Sequence, residues 1–361
     1  MMIKAPESAR ILGLMSGTSC DGLDMALLDF GPEGRWEMLR SGEQRFDPQL
    51  RSRLLAASDS NTVELARLRF DWMRWCGDQV RAFLDGQPAD LVVSHGQTVF
   101  HDPPHATWQL GDGNVLAVAC ELPVLWNLRS ADVAAGGQGA PLVPVPDRFF
   151  FEPSSGSRWL LNVGGIANLT SLIAGDDGWA GDVGPGNCWV DRWIELRSGG
   201  SLTMDTDGSV SARGLVDSDL LARLLDAVRP SLGSSLARET FSREWLASLI
   251  SEHVRTEDAA RTLIALSVEL IAEAVERHHR GARDLYVAGG GARNLTLMAD
   301  LQRRLPELTV QTFDALGMSG DAREAACFAC LGWLFLQGKS GVSTLVTGAK
   351  KPKILGSLAF P

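Results

Sequence analysis

The chain opens on two apolar runs, Arg10 to Met15 and Leu23 to Phe30, separated by the small, hydroxyl-rich stretch SGTSCDG. Strand, turn and strand of these lengths predict a β-hairpin. A further strand is read at 36–46. A long helix then opens at Asn61, where Glu64 completes a capping-box pattern and Leu65, Leu68, Trp72, Trp75, Phe83 and Leu84 supply an apolar face. The run Asp90 to Ser94 reads as a buried strand ending in His95, Gly96, Gln97 and Thr98. A helix at 113–121, a strand from Pro123 to Asn127 and the passage RSADVAAGGQGAPLVP follow, the last read as a flexible hinge or ligand loop. From Arg158 the plan begins again: RWLLNVGG and IANLTSLI predict a second hairpin, and WAGDVGPGNCW a strand-to-helix turn. After a buried helix at 257–279, the strand Asp284 to Ala288 runs into GGGARN and a helix starting near Asn294. The last predicted helix, 321–337, opens on Asp321 with Glu324 in its first turn, where acids favour the helix dipole. Strands and helices alternating in this way indicate an α/β protein.

Length changes the picture first: 361 residues exceed what one compact core usually serves, so two domains and a cleft between them are expected. With 45% hydrophobic and 22% charged residues the chain can bury sizeable cores. A formal charge of −10 argues against binding nucleic acid or an anionic membrane, although a local basic site is compatible with it. No secretory leader pattern and no run of about eighteen uncharged apolar residues is read, which makes the cytosol the expected location. Cys20, Cys76, Cys120, Cys188, Cys327 and Cys330 lack disulfide-scaffold spacing and are read as reduced thiols. Cys327 and Cys330 have CxxC form but fall inside an apolar helix, so they read as packing. His95, His101 and His105 are interrupted by Pro103 and Pro104, without a thiolate to complete a metal set; a structural or substrate-contacting role is expected of them.

Candidate chemistry gathers at three glycine-rich turns. The tip of the first hairpin offers N–H groups and hydroxyls with little side-chain bulk, a way to hold phosphate, and Asp21 and Asp24 could face a metal bound to that phosphate. Glycine and serine are also ordinary hairpin residues, and that reading stays open here. Asn162, Gly164 and Gly165 form a candidate second phosphate grip, and Gly289, Gly290 and Gly291 let backbone approach a flat or anionic ligand. Three such turns, each after a strand, fit a split nucleotide site, while the P-loop pattern GxxxxGKS or GxxxxGKT is not found.

The order of these turns resembles the actin-like ATPase and sugar-kinase superfamily. More closely, GLMSGTSCDGLD, SHGQT, GDGN, RSADVAAGGQGAPLVP, NVGGIANLT, GPGNCWVD, VAGGGARN, DAREAACFA and TGAKKPKILG resemble the anhydro-N-acetylmuramic acid kinase family over nearly the whole chain. The resemblance implies an α/β fold of two ribonuclease-H-like (actin/hexokinase-like) domains with an interdomain cleft. The lobes are expected at 1–135 plus a tail of about 345–361, and at 136–344. It implies ATP with Mg²⁺, a small anhydro-sugar substrate and a homodimer. The implied reaction opens the 1,6-anhydro bridge with water and places the γ-phosphate on O6.

Asp182 matches the family's catalytic aspartate; alternatively it is an acid that merely stabilises the helix after Gly186. The resemblance carries ATP contacts onto Gly17, Thr18, Ser19, Cys20, Asp21, Gly22, Leu23 and Asp24, leaving the metal ligands open. For the sugar, His95, Gln97, Thr98, Arg129, Asp132 and Glu324 are expected. Arg129 suits a lactyl carboxylate, or else an ion pair with Asp132. Two departures from the family pattern stand out: Val183 where a threonine is common, and MSG before Asp321 where a proline is frequent. Rival readings are a levoglucosan kinase of the same fold, a non-catalytic sugar sensor, for which no helix-turn-helix or basic patch is read, and a filament or chaperone ATPase.

Overall fold

The computed structural model describes residues 5–17, 20–232, 241–278 and 281–361, apart from the side chain of Asp177. The chain divides into two compact units, Met1–Phe150 with Asp321–Pro361, and Phe151–Gly320.

In the first unit β1 (Ala9–Met15), β2 (Gly22–Phe30) and β3 (Trp36–Arg45) form an antiparallel meander. Beside β1, β4 (Leu91–Ser94) pairs in parallel. A small separate hairpin, β5 (Gln97–Asp102) and β6 (Ala106–Leu110), precedes β7 (Val124–Trp126), which lies parallel to β4. The second unit repeats the plan. There β8 (Ser157–Val163), β9 (Ala167–Ile173) and β10 (Asp176–Gly184) make the meander, and β11 (Asp284–Ala288) and β12 (Thr309–Thr312) add in parallel beside β8. Finally β13 (Ser357–Ala359) returns to the first sheet, antiparallel to β7. Apart from β13, the two sheets share one topology, three antiparallel strands followed by two parallel ones. This bears out the expected pair of ribonuclease-H-like α/β domains.

The central strands are apolar on both faces because each sheet is covered on both sides. Leu12, Leu14, Leu23, Met25 and Leu27 pack with Leu68, Trp72, Met73, Cys76 and Val80 of the capped helix Thr62–Leu84. The opposite face takes the helix Arg323–Leu336, whose approach is so close that a Cβ at Gly13 would lie 1.9 Å from the Ala325 carbonyl oxygen. Strand β3, at the sheet's edge, is exposed and charged, which discourages pairing with another chain. In the second unit Trp159, Leu161, Val163 and Leu169 pack with Leu263, Leu266 and Leu270 of the helix Thr256–Arg277.

Three expectations are corrected. The units divide at 150/151 and 320/321 instead of 135/136 and about 344/345, because the helix Arg323–Leu336 belongs to the first sheet. There Arg323 donates from Nε to Asp147 Oδ1 at 2.8 Å, with a second contact from Nη2 to Oδ2, and both residues are buried. The glycine-rich passage is tied down: it contains the helix Ser130–Ala134, and its Gln138 N–H donates to the Thr347 carbonyl at 2.7 Å. Asp182 lies within β10, and the strand-to-helix turn comes after it, before the helix Cys188–Arg197.

Cys327 and Cys330 lie buried in the helix Arg323–Leu336, and all six cysteines are buried. Burial raises the thiols of Cys76, Cys327 and Cys330 well above the ordinary range, which keeps them protonated. Among the described residues no helix is long and apolar enough to cross a membrane.

Candidate functional site

In the first unit the expected phosphate turn is the tip between β1 and β2; Thr18 and Ser19 lie outside the described residues. The Gly17 carbonyl accepts from the Cys20 N–H at 3.2 Å and from Gln97 Nε2 at 3.1 Å. Ser16 Oγ donates to Gln97 Oε1 at 2.6 Å. The side chains of Cys20 and Leu23 are in the core, so only their backbone can meet a ligand. Gly22 opens β2 opposite Arg45. Asp21 is exposed and pairs with Arg51 at 3.1 Å. Asp24 stands between Met15 and Glu43 in the sheet register. Burial, followed by the carboxylates of Glu43, Glu324 and Asp321, raises its pKa to about 7.

The residues expected on the sugar side form a different network in this unit. His95 is buried, its Nδ1–H donating to the Gly96 carbonyl at 3.0 Å, while its Nε2 accepts from Arg129 Nε at 3.1 Å and Nη2 at 2.9 Å. These partners fix one neutral tautomer, and burial together with the Arg129 charge lowers the His95 pKa to about 3. Arg129 Nη1 donates to the Gly139 carbonyl at 2.8 Å. Burial lowers its pKa to about 10, partly offset by Glu324, and the group stays cationic. Among the described residues three of the five guanidinium N–H groups are therefore engaged, which leaves two.

Asp132 is fully buried, and its carboxylate accepts from the Gly139 N–H at 2.7 Å and the Thr347 hydroxyl at 2.8 Å. It fastens the glycine-rich segment to the TGAKKPK stretch and makes no ion pair with Arg129, which corrects that alternative. Thr98 shares a face of the small hairpin with Gln109, whose Nε2 lies 3.4 Å from its hydroxyl. His101 is exposed and bonds the Thr107 hydroxyl at 2.9 Å, so the three-histidine grouping does not converge. Glu324 is partly buried in the first turn of its helix, within electrostatic reach of Arg129 and Asp24.

The second unit brings its three expected pieces together. Asp182 sits opposite Asn168, whose Nδ2 donates to Asp182 Oδ1 at 2.8 Å. A bulge follows at Val183, a device that re-aims neighbouring side chains. Val183 itself is buried in the core, so the position where the family often has threonine faces apolar packing. The tip of the β8–β9 hairpin is bonded to the turn after Asp182: the Asn187 N–H donates to the Gly164 carbonyl at 2.8 Å and the Cys188 N–H to the Gly165 carbonyl at 3.1 Å. Gly289 has φ +77°, and a Cβ there would come within 2.7 Å of Asn162 Oδ1. Any larger residue would be strained and would displace Asn162. Gly291 lies against Val163 in the same way, with Gly290 beside the Asn187 amide.

Sequence reading named Ser16 at the hairpin tip but missed Asn168, Asn187, Asp147, Arg323 and Thr347. Asn168 and Asn187 lie inside NVGGIANLT and GPGNCWVD, so the strings contained them, but only strand register and turn geometry show what they hold. Asp147 and Arg323 carry no local signal, being partners 176 residues apart.

The family model for anhydro-N-acetylmuramic acid kinase matches residues 9–361. Curated relatives with that name include one from Chromobacterium violaceum, 37% identical over 96% of this chain and 98% of its own. Another, from Streptomyces avermitilis, is 38% identical over 97% and 94%. A third, from Chromohalobacter salexigens, is 39% identical over 96% and 98%. Among solved structures, a ROK family glucokinase from Streptomyces griseus in complex with glucose and AMPPNP aligns at TM-score 0.40 and 13% identity, over 89% of this chain and 98% of that one. With the match running from the first strand to Pro361, this chain belongs to the anhydro-N-acetylmuramic acid kinase family.

Proposed function

We propose that this protein converts 1,6-anhydro-N-acetylmuramic acid, water and ATP into N-acetylmuramic acid 6-phosphate and ADP, as a cytoplasmic, homodimeric enzyme of cell-wall recycling. Family membership supports the kinase reaction. The observation that carries the chemistry is Asp182, oriented by Asn168 and set against turns that keep the backbone uncrowded. Water adds to the anomeric carbon as the bond from that carbon to O6 breaks. Asp182 takes the water's proton, and O6 takes the γ-phosphoryl group as ADP leaves.

Among the described residues Arg129 keeps two N–H donors unspent, the number that a carboxylate accepts from a guanidinium, which supports a role in holding the lactyl group. Such a contact discriminates against levoglucosan, which lacks that group. Mg²⁺ bound with ATP spreads the charge that develops on the phosphates. Among the described residues no group of three or more His, Cys, Asp or Glu could hold a metal unaided. That suits a cation carried mainly by phosphates with one or two carboxylates. Asp24 fits this role better than Asp21, because the cluster of acids around Asp24 is relieved by a cation while Asp21 already has Arg51.

Three measurements test the reading. Asp182→Asn is expected to abolish turnover while nucleotide binding persists, and retained turnover removes Asp182 from the base role. In ¹⁸O water, mass spectrometry of the product from an anhydro-sugar panel should show label at the anomeric oxygen. The same panel should give anhydro-N-acetylmuramic acid a far higher kcat/KM than levoglucosan; equal values would overturn the substrate assignment.

A further inference from the structure

Gln97 stands at the end of the strand region expected to meet the sugar, yet its side chain is only 1% exposed and both ends of its amide are directed at the β1–β2 tip. Oε1 accepts from the Ser16 hydroxyl at 2.6 Å, Nε2 donates to the Gly17 carbonyl at 3.1 Å, and Ser16 is itself buried. His95, two residues earlier, bonds Gly96 and supports Arg129, and of Ser16 its ring reaches only the backbone. One short segment therefore holds two separate pieces of the unit.

Resting on the reading of the β1–β2 tip as an ATP-phosphate turn, we infer that Gln97 is a positioning residue for the nucleotide and not a sugar contact. A carbonyl oxygen facing a phosphate repels it, and the Gly17 carbonyl is kept turned inward by two donors, Gln97 Nε2 and the Cys20 N–H. Without Gln97 that carbonyl keeps only its weaker local partner, and the Ser16 hydroxyl loses its acceptor inside the protein. The turn is then free to present an acceptor where the nucleotide needs donors. His95 supplies the contrast, because losing it frees the Arg129 guanidinium and leaves both Gln97 bonds, to the Ser16 hydroxyl and the Gly17 carbonyl, in place.

The test is a matched pair of variants in the full chain, Gln97→Leu and His95→Phe, with KM measured for ATP and for the anhydro sugar. Gln97→Leu is expected to raise KM for ATP by about tenfold, as for one or two lost hydrogen bonds, and to leave KM for the sugar within about twofold. His95→Phe is expected to do the reverse. Ser16→Ala, a milder change, should weaken ATP in the same direction and add little in the Gln97→Leu background. It carries the test if Gln97→Leu fails to fold, and an unchanged KM for ATP in Ser16→Ala then overturns the inference. A Gln97→Leu enzyme whose sugar KM rises while its ATP KM stays put also overturns it. Titration with a fluorescent ADP analogue and Mg²⁺ separates the layers. If the wild type does not bind the analogue, the ATP reading falls; if wild type and Gln97→Leu bind it equally, only the role of Gln97 falls.

Discussion

A buried histidine held neutral by an arginine makes the protein sensitive to acid in a direction that can be worked out. His95 titrates near 6.5 when unfolded and at about 3 when folded, so between these values the unfolded chain binds the extra proton. Its contribution to stability is therefore whole above pH about 6.5 and is lost as the pH falls toward 3, at a slope of up to about 1.4 kcal/mol per pH unit. Thermal denaturation from pH 7.5 to 4 should show His95→Phe less acid-sensitive than wild type, and parallel curves would contradict the assignment. Asp24 works with the opposite sign. Its folded pKa is raised from 3.8 to about 7, so its ionisation destabilises the ligand-free fold progressively across that interval. Asp24→Asn should raise Tm at pH 8 without Mg²⁺ or nucleotide, with the gain disappearing toward pH 4. In the sequence, His95 and Arg129 were legible as chemistry but not as partners of each other, because pairing across 34 residues depends on where the glycine-rich segment is pinned. Asp132 shows the same limit, since a buried anchor and a ligand contact look alike before burial is known.

At the level of elements, the hairpins, the capped helix at Asn61 and the buried helix after Thr256 were readable because apolar spacing and cap chemistry are local. The small β5–β6 hairpin and the extension of β10 through Asp182 were not. Their pairing is decided by strands already in place and by a bulge, neither of which has a periodic signature. The helix Arg323–Leu336 was readable as a helix, but its place in the first sheet depends on Gly13 and on the distant Asp147. Removing one partner of a buried pair leaves the other charged and uncompensated. Asp147→Ala should therefore cost roughly 3–5 kcal/mol in urea denaturation, and replacing Arg323 by Met in the same background should recover part of it. A loss of about 1 kcal/mol or less, the value of an exposed pair, would mean that the pair is not sealed from water.

For the whole molecule, duplication of one topology was foreseeable from the echo between the two hairpins, whereas the boundaries were not. The second unit is one continuous segment, Phe151–Gly320, and the first is built from two. Expressed alone, 151–320 should give a cooperative unfolding transition, while 1–150 should not, lacking the helix that covers β1 and the strand that pairs with β7; circular dichroism of the two fragments decides this. The split first unit also governs events during synthesis. Domains commonly complete themselves in the order in which they are translated, but here the segment made before the inserted unit waits for the segment made after it. The inserted unit can therefore be the first to finish folding, while the half-covered β1 face stays a surface for chaperones until Asp321–Pro361 has emerged.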